Sequence, residues 1–168
     1  FDSLAYYAEH FETVEVNSTF YRLPDPSTTL MWAKRTPPGF DFSLKLHQKF
    51  THQAMHQKAT SPDLPGDGSA TAIPTATRVD VDAFCRAVDP LANAGKLGSL
   101  LIQFPPSFRD TEDAREYLVW LMQSFKNYPI AVELRHRSWS DHEPEIISLL
   151  NEHGAAWTQI DEPKFRFS

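Results

Sequence analysis

One cysteine, six glycines and no long apolar run set the first limits on this 168-residue chain. With Cys85 alone, no intrachain disulfide can form, so the fold must stand on its core, and a reducing cytoplasm is the expected setting. Cys85 lies in the helical-looking stretch VDAFCRAV among apolar neighbours and reads as packing rather than as a nucleophile. The few glycines supply no glycine-rich turn after a strand, the cradle that a dinucleotide requires, so no cofactor is implied. No stretch approaches the roughly 18 uninterrupted apolar residues of a membrane helix, and no membrane partner is expected. The opening residues FDSLAYYAEHF carry acids and tyrosines instead of a basic start and an apolar run, which is not the pattern of a signal peptide. Bases are scarce, 16 against 22 acids for a net charge of −6. No basic cluster gathers on one face, and this argues against a nucleic-acid partner.

What is present is ordinary globular composition, 41% hydrophobic and 23% charged. That is ample for one core, and the length suits a single domain over residues 1–168. Short apolar or alternating runs predict strands at Thr13 to Thr19, Phe40 to Leu46, Leu100 to Phe104, Ile130 to Arg135 and Ala156 to Ile160. Helical patterns lie between them. Ser27 is placed to cap a helix from Thr28 to Lys34, which ends before Thr36-Pro37-Pro38. Asp80 or Asp82 opens a helix carrying Phe84, Val88 and Leu91. Asp110 or Thr111 opens another, where Tyr117, Leu118, Leu121, Met122 and Phe125 form an apolar stripe at helical spacing. A last helix runs from about His142 to His153 and stops at Gly154.

Alternation of strand and helix means parallel strands joined by crossover helices. Without a nucleotide-type glycine turn, a barrel is favoured over an open doubly wound sheet. A complete barrel takes roughly 250 residues and eight strands, so the expectation is an incomplete TIM-type barrel whose remaining strands lie outside this sequence. The stretch 58–78, KATSPDLPGDGSATAIPTATR, has almost no large apolar groups. It cannot bury enough surface to offset its ordering entropy, and a flexible loop is expected there, leaving from the face where barrels place their active sites.

Side chains alternate across a strand, one set toward the barrel axis and the other toward the helices. Val14, Val16, Phe42, Leu44, Ile102, Phe104, Val132 and Leu134 form an apolar, helix-facing set. The opposite set is Glu15, Asn17 and Thr19, then Ser43 and Lys45, Leu101 and Gln103, Glu133 and Arg135, and on the fifth run Trp157, Gln159 and Asp161. Barrel interiors are normally filled with Val, Ile and Leu. An unpaired buried charge costs several kcal/mol, on the order of what a buried ion-pair partner recovers. Polar groups collected at the C-terminal ends of five strands therefore point to a ligand site. The alternative is a closed network, Glu15 with Lys45 and Glu133 with Arg135.

The same residues carry a likeness. VEVNSTFY at 14–21, followed by Arg22 and Pro24, then Trp32, Thr36-Pro37, FSLK at 42–45, FTH at 50–52, LLIQFPPSF at 100–108 and VELRHRSW at 132–139 resemble, in order and spacing, the YecE-like family, also known as domain of unknown function 72. The resemblance covers nearly the whole chain apart from the low-complexity loop, and it implies a TIM-type barrel. Members usually open with a strand bearing a Gly-x-Ser-Gly-Trp-like segment and close with an Arg-x-His-Gly-like one. Neither is present, so strands two to six of eight are expected here. The family has no established reaction. The residues matching its polar motifs are Glu15, Asn17, Thr19, Tyr21, Lys45, His52, Gln103, Glu133, Arg135 and Trp139, with Asp161 a looser match.

Roles follow from chemistry. Glu15 and Glu133 could serve as an acid and base pair, or each could be the permanent partner of a cation. Lys45 could be a nucleophilic amine if burial lowers its pKa, although a charged Lys45 binding an anion is the favoured reading. Arg135 offers a planar fork for carboxylate or phosphate, unless Glu133 or Glu15 occupies it. Asn17 and Gln103 can orient hydroxyls or carbonyls, and His52 can titrate near neutrality or stand as a plain surface histidine. Trp139, Tyr21 and Phe20 could stack on a ring, or simply pack. The seven histidines show no paired spacing, and Lys45 and Arg135 would oppose a cation, so no metal is expected. The leading expectation is an enzyme using acid-base chemistry on a small polar or anionic metabolite, with hydrolase, lyase and isomerase all left open. A binding or sensor protein with the same pocket is the alternative, and a nucleic-acid-processing barrel is disfavoured by the acidic balance.

Overall fold

The computed structural model describes residues 2–52 and 73–159. In chain order the elements are α1 (Ser3–Ala8), β1 (Thr13–Val16), α2 (Ser18–Tyr21), α3 (Pro26–Lys34), β2 (Asp41–Lys45), α4 (Gln48–Thr51), α5 (Arg78–Asn93), β3 (Leu97–Gln103), α6 (Glu112–Ser124), β4 (Ile130–Glu133), α7 (Arg137–Asp141), α8 (Glu143–Glu152) and β5 (Ala155–Thr158). The strands form one parallel sheet in the order β1-β2-β3-β4-β5. Strands laid down strictly in sequence, with a helix in each crossover, follow the winding of a β/α barrel; a doubly wound sheet reverses its order midway. Five strands leave such a barrel incomplete, as the sequence pattern predicts.

The helices start where side chains can take up their orphan N–H groups. Asp25, not Ser27, caps α3: its carboxylate accepts from the Ser27 N–H at 2.8 Å, and Pro26 fills the first helical position where no N–H is needed. Thr77 precedes α5, and its N–H donates to Asp80 at 2.8 Å. The Thr111 hydroxyl accepts from the Ala114 N–H at 3.2 Å. At the other end of α3 the buried Lys96 ammonium donates to the carbonyls of Ala33 and Thr36. A cation there satisfies carbonyls that the helix leaves open and sits at the negative end of its dipole.

The helix-facing side of the sheet is the core. Phe42, Leu44, Leu100, Ile102 and Val132 are fully or almost fully buried there, with Phe84, Val88 and Leu91 from α5, Leu118, Leu121 and Met122 from α6, and Ile146 and Leu150 from α8. Thr29 of α3 donates its hydroxyl to the Ala87 carbonyl of α5 at 2.7 Å, pinning the two helices inside this layer. Beyond the end of β2, Phe50 of α4 packs edge-on against Phe84 and Phe125, with ring centroids 5.9 and 5.5 Å away. Tyr117 donates to the Phe50 carbonyl at 2.9 Å, and Lys49 pairs with Asp80 at 2.7 Å. α4 is thereby fastened to both outer helices.

Two strand boundaries differ by three residues from those expected. The first strand ends at Val16, because Asn17 turns into the helical region (φ −85°, ψ −16°) and opens α2. The third begins at Leu97, three residues early, and holds a β-bulge opposite Phe42 and Ser43. Gly98 is the extra residue; a β-carbon on it would stand 3.1 Å from that of Asp41. Such close backbone approach is a common reason for glycine in a strand. Of the expected loop at 58–78, residues 58–72 lie outside the described residues. Ile73 packs against the core and Arg78 already belongs to α5.

Truncating Phe50→Ala in the full-length protein should cost about 3–5 kcal/mol, the usual range for a fully buried phenylalanine. Urea denaturation monitored by tryptophan fluorescence measures it; a loss under about 1 kcal/mol would mean that the aromatic trio does not anchor α4.

Candidate active site at the C-terminal rim

Register decides which side chains share the axis-facing side. Glu15 stands opposite Ser43, and Ser43 opposite Ser99, with the two serine oxygens 2.7 Å apart. One layer higher, Lys45 pairs with Leu101, Leu101 with Ala131 and Ala131 with Ala156. Above that come Gln103, Glu133 and Thr158. Of the polar residues read from strand alternation, Glu15, Ser43, Lys45, Gln103 and Glu133 fall on one side of β1 to β4, whereas Asn17, Thr19 and Arg135 lie beyond the strand ends. On β5 the expected phase is inverted: Trp157 pairs with Val132 and packs against the core, so Thr158 faces the axis. Asp161 lies outside the described residues.

Glu133 is only 5% exposed, and both its oxygens are engaged. Gln103 donates its amide to one at 2.7 Å, and the Arg135 Nε–H donates to the other at 2.5 Å. The other guanidinium nitrogens of Arg135 hold no partner among the described residues, and its side chain keeps 38% of its surface exposed. Of the two ion pairs in the expected closed network, Glu133–Arg135 forms. The second does not: neither Glu15 nor Lys45 enters an ion pair within 4.0 Å among the described residues.

The Lys45 ammonium lies over the Phe20 ring, 4.5 Å from its centroid. Burial, and then the positive charge of Arg135, hold its pKa below the ordinary lysine value; Glu133 and Glu15 pull the other way. These four charged groups therefore belong to one electrostatic neighbourhood. His52, just past α4, joins it. Its ring meets Phe20 edge-on at 4.9 Å, and its Nδ1 lies 2.8 Å from the Thr51 hydroxyl. Burial, with Lys45 and Arg135 adding to it, depresses its pKa to about 4, so the imidazole is neutral at pH 7.

Two expected ligand contacts are taken out of the site by packing. Thr19 is fully buried, its hydroxyl 2.7 Å from the Lys45 carbonyl and 3.0 Å from that of Val16, where it binds α2 to the end of β2. Trp139 is also fully buried, its indole N–H donating to the Phe108 carbonyl at 2.8 Å and its ring stacked on Phe108. Asn17 and Tyr21 remain on the rim: Asn17 opens α2 with its side chain exposed, and Tyr21 is 65% exposed, edge-on to Phe20. Among the described residues no three His, Cys, Asp or Glu side chains come together as a metal-holding group.

A second cluster, not singled out from sequence, holds the loops after β3 and β4 together. The Asp110 side chain, 2% exposed, accepts from Arg115 at 2.5 and 2.6 Å and from the His142 Nδ1 side at 2.6 Å. Its N–H donates to the Ser138 hydroxyl at 2.8 Å, which also bonds His136. Arg115 and, less strongly, His142 hold the Asp110 carboxyl below the usual range. Together with Trp139 and Phe108, these ties fix the loops leaving Gln103 and Arg135. In the sequence Asp110 reads only as a helix start, since the partners that reveal its role lie 5 to 32 residues away.

Fold and rim together define a β/α-barrel chain with a polar, cation-bearing C-terminal mouth. The chain belongs to the family described as Protein of unknown function DUF72, whose model matches residues 1–167. It is 29% identical over 160 residues to the UPF0759 protein YunF of Bacillus subtilis, covering 94% of this chain and 52% of that protein. Similarity to the UPF0759 protein YecE of Escherichia coli is 32% identity over 136 residues, 80% of this chain and 42% of that one. The chain thus spans about half the length of these relatives. Among solved structures, a DUF72 family protein from Enterococcus faecalis superposes with a TM-score of 0.80 at 25% identity, covering 98% of this chain and 61% of that one. One from Thermotoga maritima gives 0.73 at 31% identity, over 97% and 56% respectively.

Two outcomes follow. In a proton NMR titration of the full-length protein, His52 should titrate near pH 4, and Lys45→Ala should move it upward, because a removed positive charge favours imidazolium; an unmoved midpoint would separate His52 from Lys45. Asp110→Asn should cost about 1.5–3 kcal/mol at pH 7, the worth of hydrogen bonds to a charged group. A carboxyl depressed in the folded state stabilises above its unfolded pKa and loses that contribution as pH falls through the folded one. The cost should therefore shrink in denaturation series run below about pH 4.

Proposed function

We propose that the rim binds a small anionic metabolite and acts on it by proton transfer. The observation carrying this reading is that the two cations of the mouth are not fully spent on its carboxylates. Lys45 has no ion-pair partner among the described residues, and Arg135 spends one guanidinium nitrogen on Glu133 and leaves the rest open. Two cations with open donors, beside an engaged Glu133 and a Glu15 that pairs with neither, leave hydrogen-bonding capacity for an anionic guest. Arg135 supplies the fork for a carboxylate or phosphate, while Glu133, gripped by Gln103, holds the fork in position. Asn17 and Tyr21 lie at the edge of the mouth and are the further contacts.

The two carboxylates take different parts. With both oxygens engaged, Glu133 is an orienting group; Glu15, exposed and outside any ion pair among the described residues, is the better proton acceptor. The engagement of Glu133 also favours a second reading, a binding or sensor protein with the same pocket and no turnover.

Native mass spectrometry of the full-length protein with a cell metabolite extract tests the proposal. An anionic small molecule should be retained, and Arg135→Ala should weaken its capture at least about tenfold, a loss of ~1.4 kcal/mol. Failure to retain any anion, or equal retention by the variant, rejects it. If the captured molecule is recovered chemically unchanged after prolonged incubation, the sensor reading replaces the enzyme.

A further inference from the structure

Resting on that reading of the mouth, we infer that Lys45 is a carbonyl-reactive amine and that the guest is an oxo acid, a carbonyl compound whose anionic group docks on Arg135. A lysine that serves only as a charge gains from a carboxylate beside it or from full hydration. Lys45 has neither: it is half-buried, makes no ion pair among the described residues, and has an aromatic face 4.5 Å from its nitrogen. Its surroundings include the Phe20 ring, the Arg135 cation and a His52 imidazole held neutral, with Glu133 and Glu15 in the same neighbourhood. Burial and Arg135 both disfavour the ammonium, the direction in which a lysine gains nucleophilic character. The ring, Glu133 and Glu15 work in the opposite sense.

Position fits the chemistry. Lys45 ends β2 on the axis-facing side, one layer above Glu15 and one below Gln103 and Glu133. An oxo acid with its carboxylate on the Arg135 fork would turn its carbonyl carbon inward, toward the layer of the amine. The ammonium first gives a proton to Glu15. The neutral nitrogen then forms a C–N bond as the carbonyl π pair moves to oxygen, and a proton passes from nitrogen to that oxygen. The carbinolamine, its hydroxyl protonated by Glu15, loses one water to give the protonated imine. That imine withdraws electrons from the neighbouring carbon. Atoms and charge balance with water as the sole product released, and no oxidant or reductant is consumed.

The test uses the full-length protein with glyoxylate, or with propanal as a neutral comparison, and sodium cyanoborohydride, followed by peptide mass spectrometry. Lys45 should be modified by glyoxylate at pH 7 at least tenfold faster than the protein's other lysines, and the preference for glyoxylate over propanal should collapse in Arg135→Ala. The pH profile of Lys45 modification should turn below that of the other lysines. Lys45→Arg should abolish the adduct yet still retain the anion in native mass spectrometry. Anion retention with no selective adduct at Lys45 would overturn the inference and leave the anion site standing; absence of both would remove the anion site itself. Modification of Lys45 at the rate of the other lysines, or without preference for the oxo acid, also overturns it.

Discussion

The period-two alternation of a parallel strand governs this chain. Each strand offers one side to the helices and one to the axis, and the two sides obey opposite chemistry. Phe42, Leu44, Leu100, Ile102 and Val132 meet the helices and are sealed there. Glu15, Ser43, Lys45, Gln103 and Glu133 fall on the other side because each lies an odd number of positions from those neighbours. The hydrophobic effect thus sorts the polar residues without acting on them: burying one set displays the other.

Around that sorting, the structure spends its remaining polar bonds on holding the rim. α4 is tied down by Phe50, Lys49 and Tyr117, and it delivers His52 beside Phe20. The loops past β3 and β4 are bound by Asp110, Ser138 and His142, and by the Trp139–Phe108 contact. The motifs that carry the family likeness therefore divide into two kinds. Thr19 and Trp139 are braces, whereas Lys45, Gln103, Glu133 and Arg135 face the mouth. A sequence motif does not separate a brace from a contact, because both are polar or aromatic residues at a strand end.

Legibility followed the range of the interaction. Strand positions, the parallel order and the polar side of β1 to β4 rest on local periodicity and were readable in the residues themselves. The inverted phase of β5 was not, because Ala155 to Thr158 is a nearly uniform run of small and aromatic residues whose face is set by pairing with β4. Asn17 ended β1 early through a single backbone turn that alternation cannot foresee. Asp110 reads as a helix start because its partners come from α6 and from beyond β4. Whether a polar residue is spent or free is settled by neighbours distant in sequence, and so the burial of Thr19 and the single open nitrogen face of Arg135 emerge only in three dimensions.

The bulge at Gly98 carries a consequence for how this mouth can vary. The extra residue puts Leu97 and Ser99 on opposite sides of the sheet although they stand two positions apart, Leu97 in the core and Ser99 beside Ser43. Losing Gly98 would leave a regular ladder, with Leu97 opposite Phe42, Ser99 opposite Ser43 and Gln103 still level with Glu133. A single-codon deletion at this point should therefore be better tolerated than one in a strand without a bulge, where every later side chain would change sides.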